Sequence, residues 1–205
     1  MLSSKGFDLW ADDYDKSVGL SDEYGTYPFA GYKEVLGAIY QQILSDSRKR
    51  ILDIGFGTGT LTSRLYEQGC HIWGQDFSPK MLELAGRKMP DAKLYQMDFS
   101  LGLAPELKQQ RYDAIIATYS LHHVTDEQKI CLLQELLTLL HPEGRIYIGD
   151  VAFETQSDLE ACRAQAGDEW DDEEIYCVFE ELRPHFPNMR FTPYSQCAGL
   201  IEIWA

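Results

Sequence analysis

A chain of 205 residues is short enough to be served by one hydrophobic core, and 44% hydrophobic with 25% charged residues is an ordinary globular composition. The 33 acidic residues outnumber the 18 basic ones and leave a formal charge of −15. That negative field would repel a phosphate backbone or an anionic membrane surface, which argues against both as partners.

The cysteine pattern and the hydrophobicity profile bear on the cellular compartment. The five cysteines are widely spaced, and they include no Cys-x-x-Cys pair that would indicate zinc or a redox site. The chain starts without an apolar signal region, and no segment approaches 18 uninterrupted apolar residues. The sequence therefore predicts a protein of the reducing cytoplasm, with cysteines in the thiol form and no metal site.

Residues 1–45 are expected to form an N-terminal, partly helical cap on a single domain that spans residues 1–205. The first 30 residues are aromatic and acidic without a strict period. From Tyr32 to Leu44, apolar residues recur at spacings of three and four, which predicts an amphipathic helix.

Residues 46–150 alternate between predicted strands and helices, which predicts a parallel sheet. The helices begin after the glycines that follow the first strand, at Ser78-Pro79, and at the capping sequence Thr125 to Gln128. The last of them is expected to reach Leu140 before Pro142 and Gly144 end it. The predicted strands are Ile51–Ile54, His71–Gln75, Lys93–Gln96, Tyr112–Thr118 and Arg145–Gly149.

Residues 151–205 are expected to add outer helices or a lid and a final pair of strands. Helical stretches are predicted near residues 157–166 and 178–186, on either side of the acidic patch of residues 168–174. The β-prone runs at 189–194 and 199–204 lie close in sequence, so we expect them to pair antiparallel.

A glycine-rich turn after the first strand is the central functional signal. It reads Asp53-Ile-Gly55-Phe-Gly57-Thr-Gly59, and its glycines allow a tight turn and a close approach of the backbone to a ligand. Such turns occur in many nucleotide-binding proteins and in some purely structural turns, so the surrounding residues must decide what binds there.

Two further aspartates follow the next two strands. Asp76 lies 17 residues after Gly59, where a carboxylate can accept hydrogen bonds from both hydroxyls of a ribose. Asp98 ends the third strand, where it can accept from an adenine amine while Met97 and Phe99 contact the ring. Each aspartate alone is more often a loop or cap residue, but their placement after successive strands favours an adenosine site.

The turn differs from the dinucleotide pattern, because its third glycine comes one residue early. Asp53 also precedes the first glycine by two positions. A carboxylate there would disfavour a pyrophosphate and favour a cationic amino-acid moiety.

These residues, together with Asp113-Ala-Ile-Ile, resemble the class I S-adenosylmethionine (AdoMet)-dependent methyltransferases over most of the chain. Residues 7–15 and 120–127 resemble more closely the small YrrT-type methyltransferases of bacteria. The resemblance implies an α/β, Rossmann-like three-layer sandwich with a seven-stranded, mostly parallel sheet and an antiparallel last strand. It also implies AdoMet as cofactor, bound across residues 46–150. The expected cofactor contacts are Asp53, Gly55, Gly57, Gly59, Asp76, Phe77, Met97, Asp98, Phe99, Thr118, Trp10 and Tyr14.

The sequence assigns no catalytic base. His122 and His123 follow the fourth strand, where an imidazole could serve as a base, although packing in the loop is the commoner role of such residues. Trp10 and Tyr14 are four residues apart and could close over the cofactor or simply anchor a helix; Tyr14 is also a weak catalytic candidate. Tyr119 and Asp150 are weaker candidates for the pocket.

The expected function is methyl transfer from AdoMet to a small-molecule acceptor by a monomer or homodimer. Two alternatives stay open at this point. The fold could bind AdoMet or S-adenosylhomocysteine without catalysis, or, against the pattern of the glycine turn, serve a nicotinamide-dependent oxidoreductase.

Overall fold

The computed structural model describes residues 25–46 and 48–205. Seven strands form one continuous path in the order β3-β2-β1-β4-β5-β8-β7, and the short strand β6 pairs with β5 off this path. Their bounds are β1 Arg50–Ile54, β2 His71–Asp76, β3 Lys93–Gln96, β4 Tyr112–Thr118, β5 Leu140–Phe153, β6 Cys177–Val178, β7 Met189–Pro193 and β8 Ala198–Trp204.

The strand directions confirm the predicted topology. Strands β1 to β5 pair parallel with their neighbours, whereas β8 runs antiparallel to both β5 and β7. Strand β4 is almost fully buried, as its apolar sequence predicts for a strand covered on both faces.

Helices cover both faces of the sheet. They are α1 Tyr32–Ser45, α2 Thr60–Glu67, α3 Pro79–Lys88, α4 Pro105–Lys108, α5 Asp126–Thr138, α6 Gln156–Ala166 and α7 Phe179–Leu182. One core cluster joins apolar residues of α1, α2 and α3 to the sheet, and a second joins α4, α5 and α7 to the opposite face. The predicted three-layer sandwich is therefore confirmed. Within the described ranges, no helix is both long and apolar enough to cross a membrane.

The largest differences from the predicted bounds concern α5, the strand predicted as Arg145–Gly149, which extends over Leu140–Phe153, and the helix expected over 178–186. Helix α5 ends at Thr138 rather than Leu140, because Leu140 pairs with Tyr112 as the first residue of β5, before a register shift that precedes the pairing at Arg145. The helix expected over 178–186 is interrupted: β6 ends at Val178, and a 3-10 turn, Arg183–His185, replaces the α-helix where Pro184 lacks an N–H donor.

Candidate functional site

The glycine turn connects β1 to α2 in a strained backbone conformation that glycine accommodates. Gly55, Gly57 and Gly59 have φ values of 70°, 55° and 74°. A Cβ at Gly55 would lie 2.5 Å from the Cβ of Ser120, whereas a Cβ at Gly57 would meet no atom within 4 Å. Gly55 is thus required for packing, while Gly57 leaves the turn open.

A cavity of about 320 Å³ lies beside this turn at the carboxyl ends of the strands. This is the position at which open α/β sheets bind ligands. Of the predicted cofactor contacts, the lining includes Asp53, Gly55, Gly57, Asp76, Phe77, Phe99 and Thr118.

Three predicted contacts among the described residues, Gly59, Met97 and Asp98, are not part of the cavity wall. Gly59 packs instead near Met89, because a Cβ at position 59 would lie 3.1 Å from Cε of Met89. Asp98 is exposed and accepts a 2.8 Å hydrogen bond from Ser100 N, and neither it nor Met97 lines the cavity. The adenine contacts of both residues stay predictions. Trp10 and Tyr14 lie outside the described residues.

Asp53 is a buried carboxylate with one oxygen satisfied. The Thr62 hydroxyl donates to Oδ2, whereas Oδ1 has no hydrogen-bond partner within the described part of the chain. The side chain is 1% exposed and lines the cavity. Burial, with a smaller contribution from Asp76, raises the pKa of Asp53 to about 7 despite the hydrogen bond from Thr62. A cationic group beside Oδ1 would satisfy this carboxylate.

Asp76 joins the glycine turn to the end of β2. Its Oδ2 accepts from Gly57 N at 2.9 Å, and its Oδ1 accepts from Ser78 N at 2.9 Å. These two bonds fix the Asp76 carboxylate beside the glycine turn, at the end of β2 where the ribose contact is predicted.

His122 lines the cavity and lies between two carboxyl groups. Its Nδ1 is 2.6 Å from Asp150 Oδ1, and its Nε2 is 3.6 Å from Glu174 Oε1. Burial alone would lower the pKa of His122, but the negative charges of Asp150 and Glu174 raise it above its ordinary value. By contrast, burial and the neighbouring His122 lower the pKa of His123 to about 4.

Part of the cavity wall comes from residues to which the sequence assigned no role. Glu169, Asp171 and Glu174, from the acidic patch, line the cavity beside His122 and His123. Tyr176 donates a 2.7 Å hydrogen bond to Glu174 Oε2, and its own hydroxyl is hydrogen-bonded to that of Tyr27. The acidic run was visible in the sequence, but tertiary contacts bring it to the site: β6 pairs with β5, and Ile175 N donates to His122 O at 2.9 Å.

A Rossmann-like fold with a ligand cavity at the strand ends defines an α/β cofactor-binding protein. The model of a methyltransferase domain matches residues 51–144, which include the glycine turn, β2 and β4. An uncharacterized methyltransferase of Oceanobacillus iheyensis is 32% identical over 192 residues, covering 90% of this chain and 87% of the relative. YrrT of Bacillus subtilis, also an uncharacterized methyltransferase, is 31% identical over 186 residues, covering 89% and 82%. The chain belongs to this family of class I AdoMet-dependent methyltransferases.

Solved structures share the fold at low sequence identity. A complex of DhpI with SAM and HEP superposes with a TM-score of 0.71 at 17% identity, covering 97% of this chain and 94% of the other. Magnesium protoporphyrin IX methyltransferase from Synechocystis with bound SAH gives 0.67 at 17% identity, covering 86% and 85%. AdoMet is the methyl donor of the family.

Proposed function

We propose that the cavity binds AdoMet and that the protein transfers the donor's methyl group to a small-molecule acceptor. The observation that carries the proposal is Asp53, a buried carboxyl group that lines the cavity next to the glycine turn and whose Oδ1 has no hydrogen-bond partner among the described residues. A buried charge of this kind is costly unless it is paired, and the cationic amino-acid end of AdoMet offers a pairing partner.

The other contacts follow from the same placement. Asp76 would accept from the ribose hydroxyls, Gly57 would let the backbone approach the ligand, and Phe77 and Phe99 would contact apolar parts of the adenosine. When bound, AdoMet supplies an electrophilic methyl group on a sulfonium. The chain's contribution is to align the acceptor and to exclude water, for which the aromatic wall formed by Tyr27, Phe29 and Tyr32 is suited.

A small acceptor is proposed from the size and charge of the cavity. Among the described residues that line it, there are several carboxylates and neither Lys nor Arg. This lining, like the formal charge of −15, disfavours a polyanion. We place the protein in the cytoplasm as a monomer or homodimer, and size-exclusion chromatography with light scattering distinguishes the two states.

Calorimetric titration with AdoMet, S-adenosylhomocysteine and NADH tests the cofactor proposal. We expect micromolar binding of the first two and no binding of NADH. Asp76→Ala should weaken AdoMet binding at least tenfold, while the exposed Asp46→Ala should leave it unchanged. Binding of NADH alone would mean an oxidoreductase. AdoMet binding without turnover on thiol, amine, hydroxyl and carboxylate acceptors would instead indicate a non-catalytic binding module.

A further inference from the structure

Three potential metal ligands come together in the part of the cavity wall formed by His122, His123 and the acidic patch, which we call the acceptor side. The ring nitrogens of His122 and His123 and a carboxylate oxygen of Glu174 lie within 4.8 Å of one another. All three residues line the cavity, so an ion held there would be accessible to a bound molecule. The sequence predicted no metal site because its ligands come from two segments about fifty residues apart.

His122 is oriented in the manner of a metal-bound imidazole. Metal-ligating histidines almost always donate their second ring N–H to a carboxylate or carbonyl group. Here Nδ1 faces Asp150 at 2.6 Å, and Asp150 is 1% exposed. The backbone amides of Leu121 and Val151 hold that carboxylate at 3.2 and 2.8 Å. In a metal-bound imidazole the proton would lie on Nδ1 and Nε2 would be the ligand atom, and it is Nε2 that faces Glu174.

The positions of His122 Nε2 and Glu174 Oε1 suit a cation shared between them. Nε2 of His122 and Oε1 of Glu174 face each other at a separation that one bound cation could bridge. Their 3.6 Å separation is close to the roughly 3.4 Å expected for two ligands bonded to one tetrahedral zinc ion. Tyr176 fixes the other oxygen of Glu174, at 2.7 Å, which leaves Oε1 towards His122.

We propose that His122, His123 and Glu174 bind a divalent metal ion of the zinc class, with its remaining coordination position open to the cavity. Two histidines, one carboxylate and an open position are typical of catalytic rather than structural zinc sites. Asp150 acts as the positioning residue for His122. This inference rests on the proposed function for its purpose in the reaction, but metal binding itself does not depend on AdoMet.

The open position indicates the class of acceptor. A metal ion there acts as a Lewis acid on a coordinated hydroxyl group and lowers its pKa. The hydroxyl proton then passes to water, and the oxygen forms the new bond to the methyl carbon. The sulfur–methyl bond breaks with its electron pair on sulfur, which gives a methyl ether and S-adenosylhomocysteine. An acceptor activated in this way would carry a hydroxyl group.

Metal binding is measured on the full chain after removal of metals with a chelator. The background carries Cys131→Ser, because this exposed thiol could itself bind zinc. Titration with zinc by calorimetry, and with cobalt by visible absorption, should show one ion per chain with micromolar or tighter affinity. The cobalt spectrum should show nitrogen and oxygen ligation without a thiolate charge-transfer band.

Matched variants locate the ion. Glu174→Gln and His123→Ala should each weaken zinc binding at least tenfold, whereas the exposed Asp172→Asn and His185→Ala should not change it. Circular dichroism checks that each variant is folded. Absence of binding up to millimolar zinc, or undiminished binding in both ligand variants, overturns the metal site even if AdoMet binds. Zinc binding that depends on Glu174, in a protein that fails to bind AdoMet, would instead sustain the metal site and overturn the proposed function.

Discussion

Asp53 and Thr62 contact each other beneath the glycine turn, where the threonine hydroxyl satisfies one carboxylate oxygen and leaves the other without a partner. The carboxylate is therefore a stability liability, and in the proposed AdoMet complex it is also a binding group. Natural sites commonly retain such costly groups because function requires them. The cost and the use can be measured separately.

Asp53→Asn should relieve the cost of the buried charge. The pKa of Asp53 in the folded protein, about 7, lies above its value in the unfolded chain. The unfolded state therefore loses this proton first as pH rises, so the contribution of Asp53 to stability falls between about pH 4 and pH 7. By linkage the full effect is roughly 4 kcal/mol at most.

Urea unfolding of both proteins at pH 5 and pH 7.5 checks this effect. The difference in the free energy of unfolding, variant minus wild type, should be larger at pH 7.5 than at pH 5, because only the wild type loses stability as pH rises. The AdoMet affinity of the variant should fall at least tenfold. A stability difference that does not change with pH would contradict the assignment of a raised pKa.

Gly55 and Gly57 share a positive φ but differ in their surroundings, so they form a matched pair. Gly55→Ala should destabilise the protein by more than about 3 kcal/mol, because its Cβ would collide with Ser120 in addition to the backbone strain. Gly57→Ala should cost only the strain, about 1–2 kcal/mol, because no atom lies near its Cβ.

Denaturant unfolding separates the two variants, and calorimetry then measures AdoMet binding by Gly57→Ala. We expect its affinity to fall although the protein stays folded, since the added methyl group occupies space where the ligand approaches the backbone. Equal destabilisation by the two substitutions would show that packing against Ser120 does not distinguish them.

Local sequence signals predicted the elements around the glycine turn and the starts of α3 and α5. Thr125 and Gln128 form the predicted capping box, and Ser78 accepts from Met81 N as the N-cap of α3. Glycine and β-propensity patterns likewise placed β1, β2 and the turn between them. Such signals depend on neighbours in sequence, so a single chain displays them.

The acceptor side could not be predicted in the same way. Glu174 reaches His122 because Ile175 N donates to His122 O at 2.9 Å and Cys177 pairs with Ala152 in β5, contacts between segments with no shared pattern. For the same reason Val178, the last residue of β6, was expected to begin a helix. Tertiary pairing overrides local propensity where strands are as short as two residues.

Asp113 should make folding sensitive to acid. Its Oδ2 accepts from the backbone N–H groups of Lys49 and Arg50 at 3.0 and 2.9 Å, and its Oδ1 is 2.8 Å from His141 Nδ1. Burial would raise the pKa of Asp113, but the hydrogen bonds from His141 and the two amides outweigh it, and the net pKa is lowered.

A carboxylate whose pKa is lowered by folding stabilises the fold at pH values above its pKa in the unfolded chain. This contribution is lost as pH falls through its pKa in the folded protein. Asp113→Asn should therefore reduce the free energy of unfolding at pH 7 by about 1–2 kcal/mol, because the amide replaces a charged acceptor. The difference from the wild type should shrink below about pH 4, where the unfolded carboxyl group takes up a proton. Parallel urea titrations at pH 7 and pH 3.5 measure it, with the exposed Asp172→Asn as control. A difference that is the same at both pH values would show that the ionised form of Asp113 contributes no stability.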